Sequence, residues 1–339
     1  MIPPAPAAQR VRRMVKPSSL ARSGARGAHH LAARTTANAT TVTQAPGVVQ
    51  LEYLNGAVTA WFVSTATIPK GSSIAITVAH DNGTEIDCDP LNLTADVAPG
   101  SSMKIITSAA LFNAGYLNPQ TPVECPKAYT VQGITFHNDK NETEPAGTPF
   151  ITDFAQSCNN AFTSQWQHLS GALAGTAKEY FGLNQKWNIG ITGLSASYFH
   201  APADASGAEL AQEAFGQGAL QASPLAMASV AATVDTGTFK QPILVPGTAQ
   251  VSATPLSSST QNNLKTLMRA VVTNGTLAGV ITNTSAYGKT GTAQVQGKQD
   301  NSWTIAFRGD YAIAALAVGG GFGASTAGPE VNQVLNTLP

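Results

Sequence analysis

Three short groups of residues in this chain have the types and spacing for acyl-transfer chemistry. The first is Ser101-Ser102-Met103-Lys104, directly after the Pro99-Gly100 turn. A run of apolar and small residues follows, including Ile105, Ile106, Ala109, Ala110 and Leu111, and it stops near Asn113-Ala114-Gly115; the pattern predicts a helix. Ser101 then stands at the positive end of that helix, with Lys104 one turn on and on the same face. A serine hydroxyl is a poor nucleophile until a base takes its proton. A lysine in a desolvated cleft does so once burial lowers its pKa. Alone, Ser-x-x-Lys also reads as an N-cap serine and a solvated lysine.

The chain adds Ser157-Cys158-Asn159 and then, near its C-terminus, Lys289-Thr290-Gly291-Thr292. Ser157 supplies a hydroxyl that relays a proton to a leaving amine, and Asn159 an amide that bonds Lys104 or the substrate. Lys289 supplies fixed positive charge for a substrate carboxylate, and Thr290 and Thr292 place hydroxyls along one strand. Gly291 lets a substrate approach that strand's backbone, because any side chain there would block it. Taken singly, Ser157 and Asn159 read as helix-capping turn residues, and Lys289-Thr290-Gly291 as a strand end. Their order and spacing together point to one site.

The elements that must position these groups follow from periodicity. Val48 to Leu54, then Asn55-Gly56, then Val58 to Val63 reads as a hairpin on a two-residue turn, and Ile74 to Val78 as a third strand. Asn118 to Gly147, rich in Pro, Asn and Gly, reads as a surface excursion. Helices are predicted on either side of Ser157, over Leu173 to Phe181, Gly207 to Phe215, after the Ser223 N-cap with Pro224 in its first turn, over Gln261 to Asn274, and from Pro329 to Leu338. Ser285 to Val295 reads as a strand. Ser302 to Phe307 and Ala312 to Val318 read as a hairpin across Arg308-Gly309-Asp310-Tyr311. The sum is an α/β protein, a sheet with helices packed on its faces.

Of the 339 residues 43% are hydrophobic and only 11% charged, with zero formal net charge, which supplies a large core and gives no sign of a nucleic-acid partner. Three cysteines are too few to frame a fold and lack metal-ligand spacing. The six histidines show no pairing that suggests a metal. Residues 1–46 differ from the rest: Arg10, Arg12, Arg13, Lys16, Arg22, Arg26 and Arg34 stand without an acid or apolar periodicity, and read as a disordered basic tail before one domain over 47–339. The stretch has neither the apolar core of a signal peptide nor a membrane-spanning run.

The three motifs, with Phe215-Gly216-Gln217-Gly218 and Ser223-Pro224-Leu225-Ala226-Met227-Ala228, resemble the transpeptidase domain of class B, high-molecular-weight penicillin-binding proteins, within the wider penicillin-binding and serine β-lactamase superfamily. The resemblance runs from about Leu91 to Leu338. It implies an antiparallel sheet with helices on both faces and a helical subdomain, and extracytoplasmic peptidoglycan D,D-transpeptidation through an acyl-enzyme on Ser101. Lys104 would be the base, and the backbone N–H groups of Ser101 and Thr292 the oxyanion donors. Stem peptides and β-lactam antibiotics are the implied partners, and no cofactor is implied. The family's membrane anchor is not found in this chain, which suggests a truncated chain or fragment, and the family's usual first-strand pattern is missing from residues 47–90, so those strands are expected to be atypical or incomplete. A D,D-carboxypeptidase or β-lactamase differs only in using water as acceptor; a degenerate, non-turnover β-lactam-binding fragment is the other reading. Glu179, near Leu183-Asn184, is off by one residue from a β-lactamase deacylating base and reads as a surface helix residue. An exported domain meets an oxidising environment, in which Cys125–Cys158 is a candidate disulfide stabilising by about 3 kcal/mol; Cys88 is an equally available partner for Cys125, and Cys158 reads equally as a small buried residue.

Overall fold

The structure, a computed structural model, describes residues 97–139, 142–188, 196–243 and 248–338, together with the backbone pairing of strands at 31–32, 46–52, 58–67 and 77–78. Its centre is a five-stranded antiparallel sheet. The order across it is Tyr287–Ala293, Asn301–Arg308, Tyr311–Ala317, Val58–Thr67 and Pro46–Glu52. The last three strands of the chain thus form one half, and the N-terminal pair completes the other.

Asn301–Arg308 is buried along nearly its whole length because both its faces are covered, as a central strand between two helical layers must be. Alternate residues show which layer covers which face. Ser302 Oγ accepts from Ala327 N–H, and Arg308 donates to the carbonyls of Leu335 and Leu338, so this face meets the Ala327–Thr337 helix. Trp303, between them in register, points the other way and donates Nε1–H to Ala98 O at 3.0 Å. That second face carries the Pro224–Thr236 and Ser258–Thr273 helices and, towards the Tyr287–Ala293 edge, the turn that bears Ser101. Pro224–Thr236 starts as its sequence dictates: Ser223 Oγ accepts from Ala226 N–H at 3.1 Å, and Pro224 fills the first turn, where a missing N–H costs nothing.

The sheet expectation for the N-terminal strands holds in part. The register Glu52↔Thr59 is the one a two-residue Asn55-Gly56 loop sets, although 53–57 lie outside the described residues. The third predicted strand does not join: Thr77–Val78 pairs with Leu31–Ala32 in a separate two-stranded ladder, while the rest of 74–78 lies outside the described residues. Three residues of the 1–46 basic tail, Leu31, Ala32 and Pro46, therefore have backbone partners, and its other residues lie outside the described residues. The C-terminal hairpin forms as read, with Arg308↔Tyr311 flanking Gly309-Asp310.

The 118–147 segment is more than a surface excursion. It folds into a hairpin, Ala128–Val131 with Ile134–His137, about Gln132-Gly133, which have φ of 48° and 82° and so match the turn that a right-handed strand twist favours. Val123, Cys125, Val131 and Phe136 are buried in the main core, and the hairpin packs on the helix that follows Ser157.

Candidate active site

Ser101 sits in a short 3-10 turn, Gly100–Met103, that runs directly into the Lys104–Asn113 helix. The turn lies on the open edge of the sheet because three backbone approaches there exclude side chains. Gly100, with φ +54°, would put a Cβ 2.6 Å from Thr292 O. Gly216 would put one 1.7 Å from Gly100 O, and Gly100 N–H donates to Gly216 O at 2.9 Å. Gly291 would put one 2.8 Å from Pro99 O and 3.1 Å from Ser102 N. The requirement for glycine at 291 thus comes from the nucleophile's own turn packing on the strand, where the sequence reading had a substrate passing there.

Lys104 and Lys289 are both fully buried. Lys104 Nζ donates to Ser157 O at 2.7 Å, Asn159 Oδ1 at 2.7 Å and Ser157 Oγ at 3.3 Å. Ser101 Oγ donates to the same Asn159 Oδ1 at 3.5 Å, so serine and lysine share one acceptor. Burial drives the Lys104 pKa down to about 7 against the opposing pull of Asp139, Glu142 and Asp153, so near neutrality a large share of the side chain is a free base.

Lys289 faces the same hydroxyl as Lys104. Its Nζ is buried, donating to Ser157 Oγ at 2.8 Å and Thr290 O at 3.0 Å. Burial, and next the charge of Lys104, push its pKa well below the usual lysine value. Phe162 lies 5.1 Å from Lys104 Nζ and Phe154 5.5 Å from Lys289 Nζ, so each amine has an aromatic ring as a weak second partner.

Thr290 and Thr292 alternate with Lys289 and Gly291 along the edge strand. Thr290 Oγ1 pairs with Thr276 Oγ1 at 2.7 Å, and Thr292 Oγ1 accepts from Gly323 N–H at 3.2 Å, so both hydroxyls are already engaged. The backbone of Thr292 is the more telling part. Its carbonyl accepts from Gln217 Nε2 at 3.2 Å, on the side away from the ladder. A strand residue turns its N–H to the same side as its C=O, so the Thr292 N–H leaves the open edge beside the Ser101 turn.

The Ser157 turn is held by a cross-link and an asparagine. Ser157 has φ +66°, a left-handed conformation rare for a residue with a side chain. Cys158 caps the Asn159–Thr163 helix by accepting from Ala161 N–H at 3.3 Å, and is bonded to Cys125 with the Cα atoms 6.1 Å apart. Asn138 accepts from Asn160 N–H at 2.8 Å and donates to the Pro126 and Glu142 carbonyls, fastening the hairpin segment to the turn.

All five predicted catalytic positions, Ser101, Lys104, Ser157, Asn159 and Lys289, therefore come together through direct hydrogen bonds. Sequence reasoning assigned no role to Gln217, Asn138, Thr276 or Asp153. Gln217 lies within Phe215-Gly216-Gln217-Gly218, and Asp153 is a lone acid among Phe150, Phe154 and Ala155, so both left a signal; Asn138 and Thr276 left none. Glu179 is exposed on the Ala172–Phe181 helix and lines a surface cleft with Lys178, Gln185 and Ser252, a lining that includes none of the five catalytic candidates.

The sheet flanked by helices, with Ser101 on its edge, has the fold of penicillin-binding transpeptidase domains. The D,D-transpeptidase domain of a peptidoglycan glycosyltransferase from Eggerthella lenta superposes with a TM-score of 0.63 at 22% identity, over 74% of this chain and 67% of that one. The chain belongs to the family of penicillin binding protein transpeptidase domains, whose family model matches residues 87–336. Penicillin-binding protein PbpB of Mycolicibacterium smegmatis is 26% identical over 225 residues, 60% of this chain and 34% of that protein. The ceftriaxone acyl-enzyme complex of penicillin-binding protein A from M. tuberculosis has a TM-score of 0.63 at 26% identity, over 72% of this chain and 61% of that one. The chain thus spans about a third of the length of the curated relative it matches.

Proposed function

We propose that this chain is a peptidoglycan D,D-transpeptidase acting through an acyl-enzyme on Ser101. The observation that carries the reading is the convergence of two fully buried lysines on Ser157 Oγ, with Lys104 and Ser101 sharing Asn159 Oδ1. Neutral Lys104 takes the Ser101 proton as Oγ attacks the penultimate D-alanine carbonyl of a stem peptide. The negative charge that develops on that carbonyl oxygen is met by the N–H groups of Ser101 and Thr292, donors fixed in advance by the packing of the turn on the strand.

The proton reaches the leaving D-alanine amine through Ser157. A hydroxyl has two lone pairs and one hydrogen. Once Lys104 has taken the Ser101 proton it has three N–H donors, and with Lys104 and Lys289 both donating to Oγ the Ser157 hydrogen is left to point at substrate. An amine of a neighbouring stem then attacks the acyl-enzyme. β-Lactams would acylate the same serine, as the acyl-enzyme complexes of the M. tuberculosis relative illustrate for that protein. Such a reaction takes place outside the cytoplasmic membrane; among the described residues no helix is long and apolar enough to cross one.

The test is to supply a donor peptide ending in D-alanyl-D-alanine with and without a diamino-acid acceptor. Cross-linked product with matching D-alanine release supports the transpeptidase. Release with hydrolysed donor alone makes the chain a carboxypeptidase, and no release with stable penicillin labelling makes it a non-turnover binder.

A further inference from the structure

The second cysteine of the Cys125–Cys158 bond lies between Ser157 and Asn159, so the cross-link is anchored inside the catalytic turn. Asp153, one helical turn ahead of Ser157, brings a carboxylate oxygen within 4.8 Å of both sulfurs. The Asp153 side chain is fully buried, and neither of its oxygens meets a hydrogen-bond donor among the described residues. An unpartnered buried carboxyl is costly. A cross-link that only staples gains nothing from one, whereas thiol–disulfide exchange needs a group that gives a proton to the departing sulfur and takes it back.

We propose that Cys125–Cys158 is an exchangeable redox bond with Asp153 as its proton donor and acceptor, reduced by an external dithiol, and that its opening releases the Ser157–Asn159 turn and slows acylation. Both sulfurs are buried, so exchange begins with a local opening of the hairpin segment that exposes Cys125; one thiolate of the dithiol then attacks Cys125 Sγ, the Cys125–Cys158 bond breaks and a mixed disulfide forms. The electron pair leaves on Cys158 Sγ, where the Ala161 N–H at 3.3 Å already stabilises negative charge, and Asp153 supplies the proton. The reductant's second thiolate displaces Cys125 Sγ, which takes a proton from solvent, and closes the reductant's own disulfide. Two electrons pass from the dithiol to the protein, and Asp153 is reprotonated from solvent. Burial raises the Asp153 carboxyl to about 7, with Glu144 of the hairpin segment adding to the rise and Lys104 opposing it, so a proton is on hand near neutrality.

The consequence for the site follows from the bonds to the turn. Lys104 takes two acceptors from Ser157 and one from Asn159, and the left-handed Ser157 backbone is held by the cross-link on the next residue. Without the tether those acceptors move relative to Lys104.

The test uses the full oxidised chain, dithiothreitol under native conditions, alkylation and mass counting of free thiols, with penicillin acylation rates measured in parallel. Wild type is expected to be reduced while folded. Asp153→Asn should slow reduction about tenfold at pH 7. Reduced wild type should acylate about tenfold more slowly and recover on reoxidation. Reduction only in denaturant, equal reduction rates in Asp153→Asn, or unchanged acylation after reduction would each overturn the proposal. If Asp153→Asn fails to fold, the wild-type reduction rate per external thiolate must still inflect near pH 7, and a flat profile overturns it. The acylation arm rests on the Ser101 reading, whereas the exchange arm does not; an enzyme that exchanges normally but never acylates refutes Ser101 alone.

Discussion

Lys104 and Lys289 meet at one oxygen: their Nζ atoms lie 3.3 and 2.8 Å from Ser157 Oγ. Two buried amines this close cannot both hold protons without cost, and the charge of Lys104 lowers the hold of Lys289 on its proton. In the proposed mechanism Lys104, lowered to about 7 by burial, is the base and Ser157 is the path for its proton. Ser157→Ala removes that path while leaving Ser101 and Lys104 in place. Acylation by a fluorescent penicillin should fall by about 10²- to 10⁴-fold, the range for loss of a general acid–base group. A Ser157→Ala enzyme that acylates at the wild-type rate would remove Ser157 from the proton path.

The pH dependence follows from Lys104. Its folded pKa is lowered from 10.5 to about 7, so the base form gains population as pH rises through that value. The acylation rate should climb between about pH 6 and 8 and then level. Lys104→Arg should be nearly dead throughout, because a guanidinium stays protonated. Rates measured from pH 5 to 9 check both, and a flat profile or an active arginine variant would contradict the assignment.

Glu213 gives a stability prediction of the opposite sign. It is fully buried with neither carboxylate oxygen partnered among the described residues, and burial raises its pKa from 4.5 to about 7. The folded state therefore holds the proton more tightly than the unfolded state. Stability from this group is present below about pH 4.5 and is lost as pH rises through 7. Glu213→Gln should match wild type at pH 4 and exceed it at pH 8 by about 1–3 kcal/mol, the cost of burying an unpartnered polar group. Denaturant melts at the two pH values decide it; an equal difference at both would mean that ionisation is not the cause.

The Gly100 and Gly216 contact carries a prediction about assembly of the site. A Cβ at 216 would lie 1.7 Å from Gly100 O, and backbone is what must move. Gly216→Ala should therefore displace the Ser101 turn, lower the melting temperature and reduce acylation about tenfold or more, since small misplacements at a reacting centre are expensive. Gly115→Ala, with no atom within 4 Å of its added Cβ, is the control for left-handed backbone strain alone, since Gly115 has φ +74°. Similar losses in both variants would mean that strain, and not the contact, matters.

How much of this was legible in sequence depended on range. Ser101 and Lys104 lie within one turn of each other, and Ser223-Pro224 caps its own helix, so local rules reached them. Gly291 was singled out for a substrate's approach, and the packed structure adds Pro99 and Trp303, which a side chain there would meet. The burial of Lys289 was also out of reach: it depends on Phe154, Ser157 and Lys104, each more than a hundred residues away. Ile74 to Val78 had the pattern of a sheet strand, yet periodicity cannot say which edge a strand joins, and the Thr77–Val78 pair found Leu31–Ala32. Asn138 was lost in a segment whose composition reads as loop, because its three partners are fixed by a hairpin made from Gln132-Gly133, a weak turn signal.

The most direct test of the account is the site of covalent labelling. Intact-mass measurement after penicillin treatment, followed by peptide mapping, should show one adduct per chain, on Ser101, and none in Ser101→Ala with its melting curve unchanged. An adduct on Ser102 or Ser157, or persistent labelling of Ser101→Ala, would contradict the assignment of Ser101 as the nucleophile.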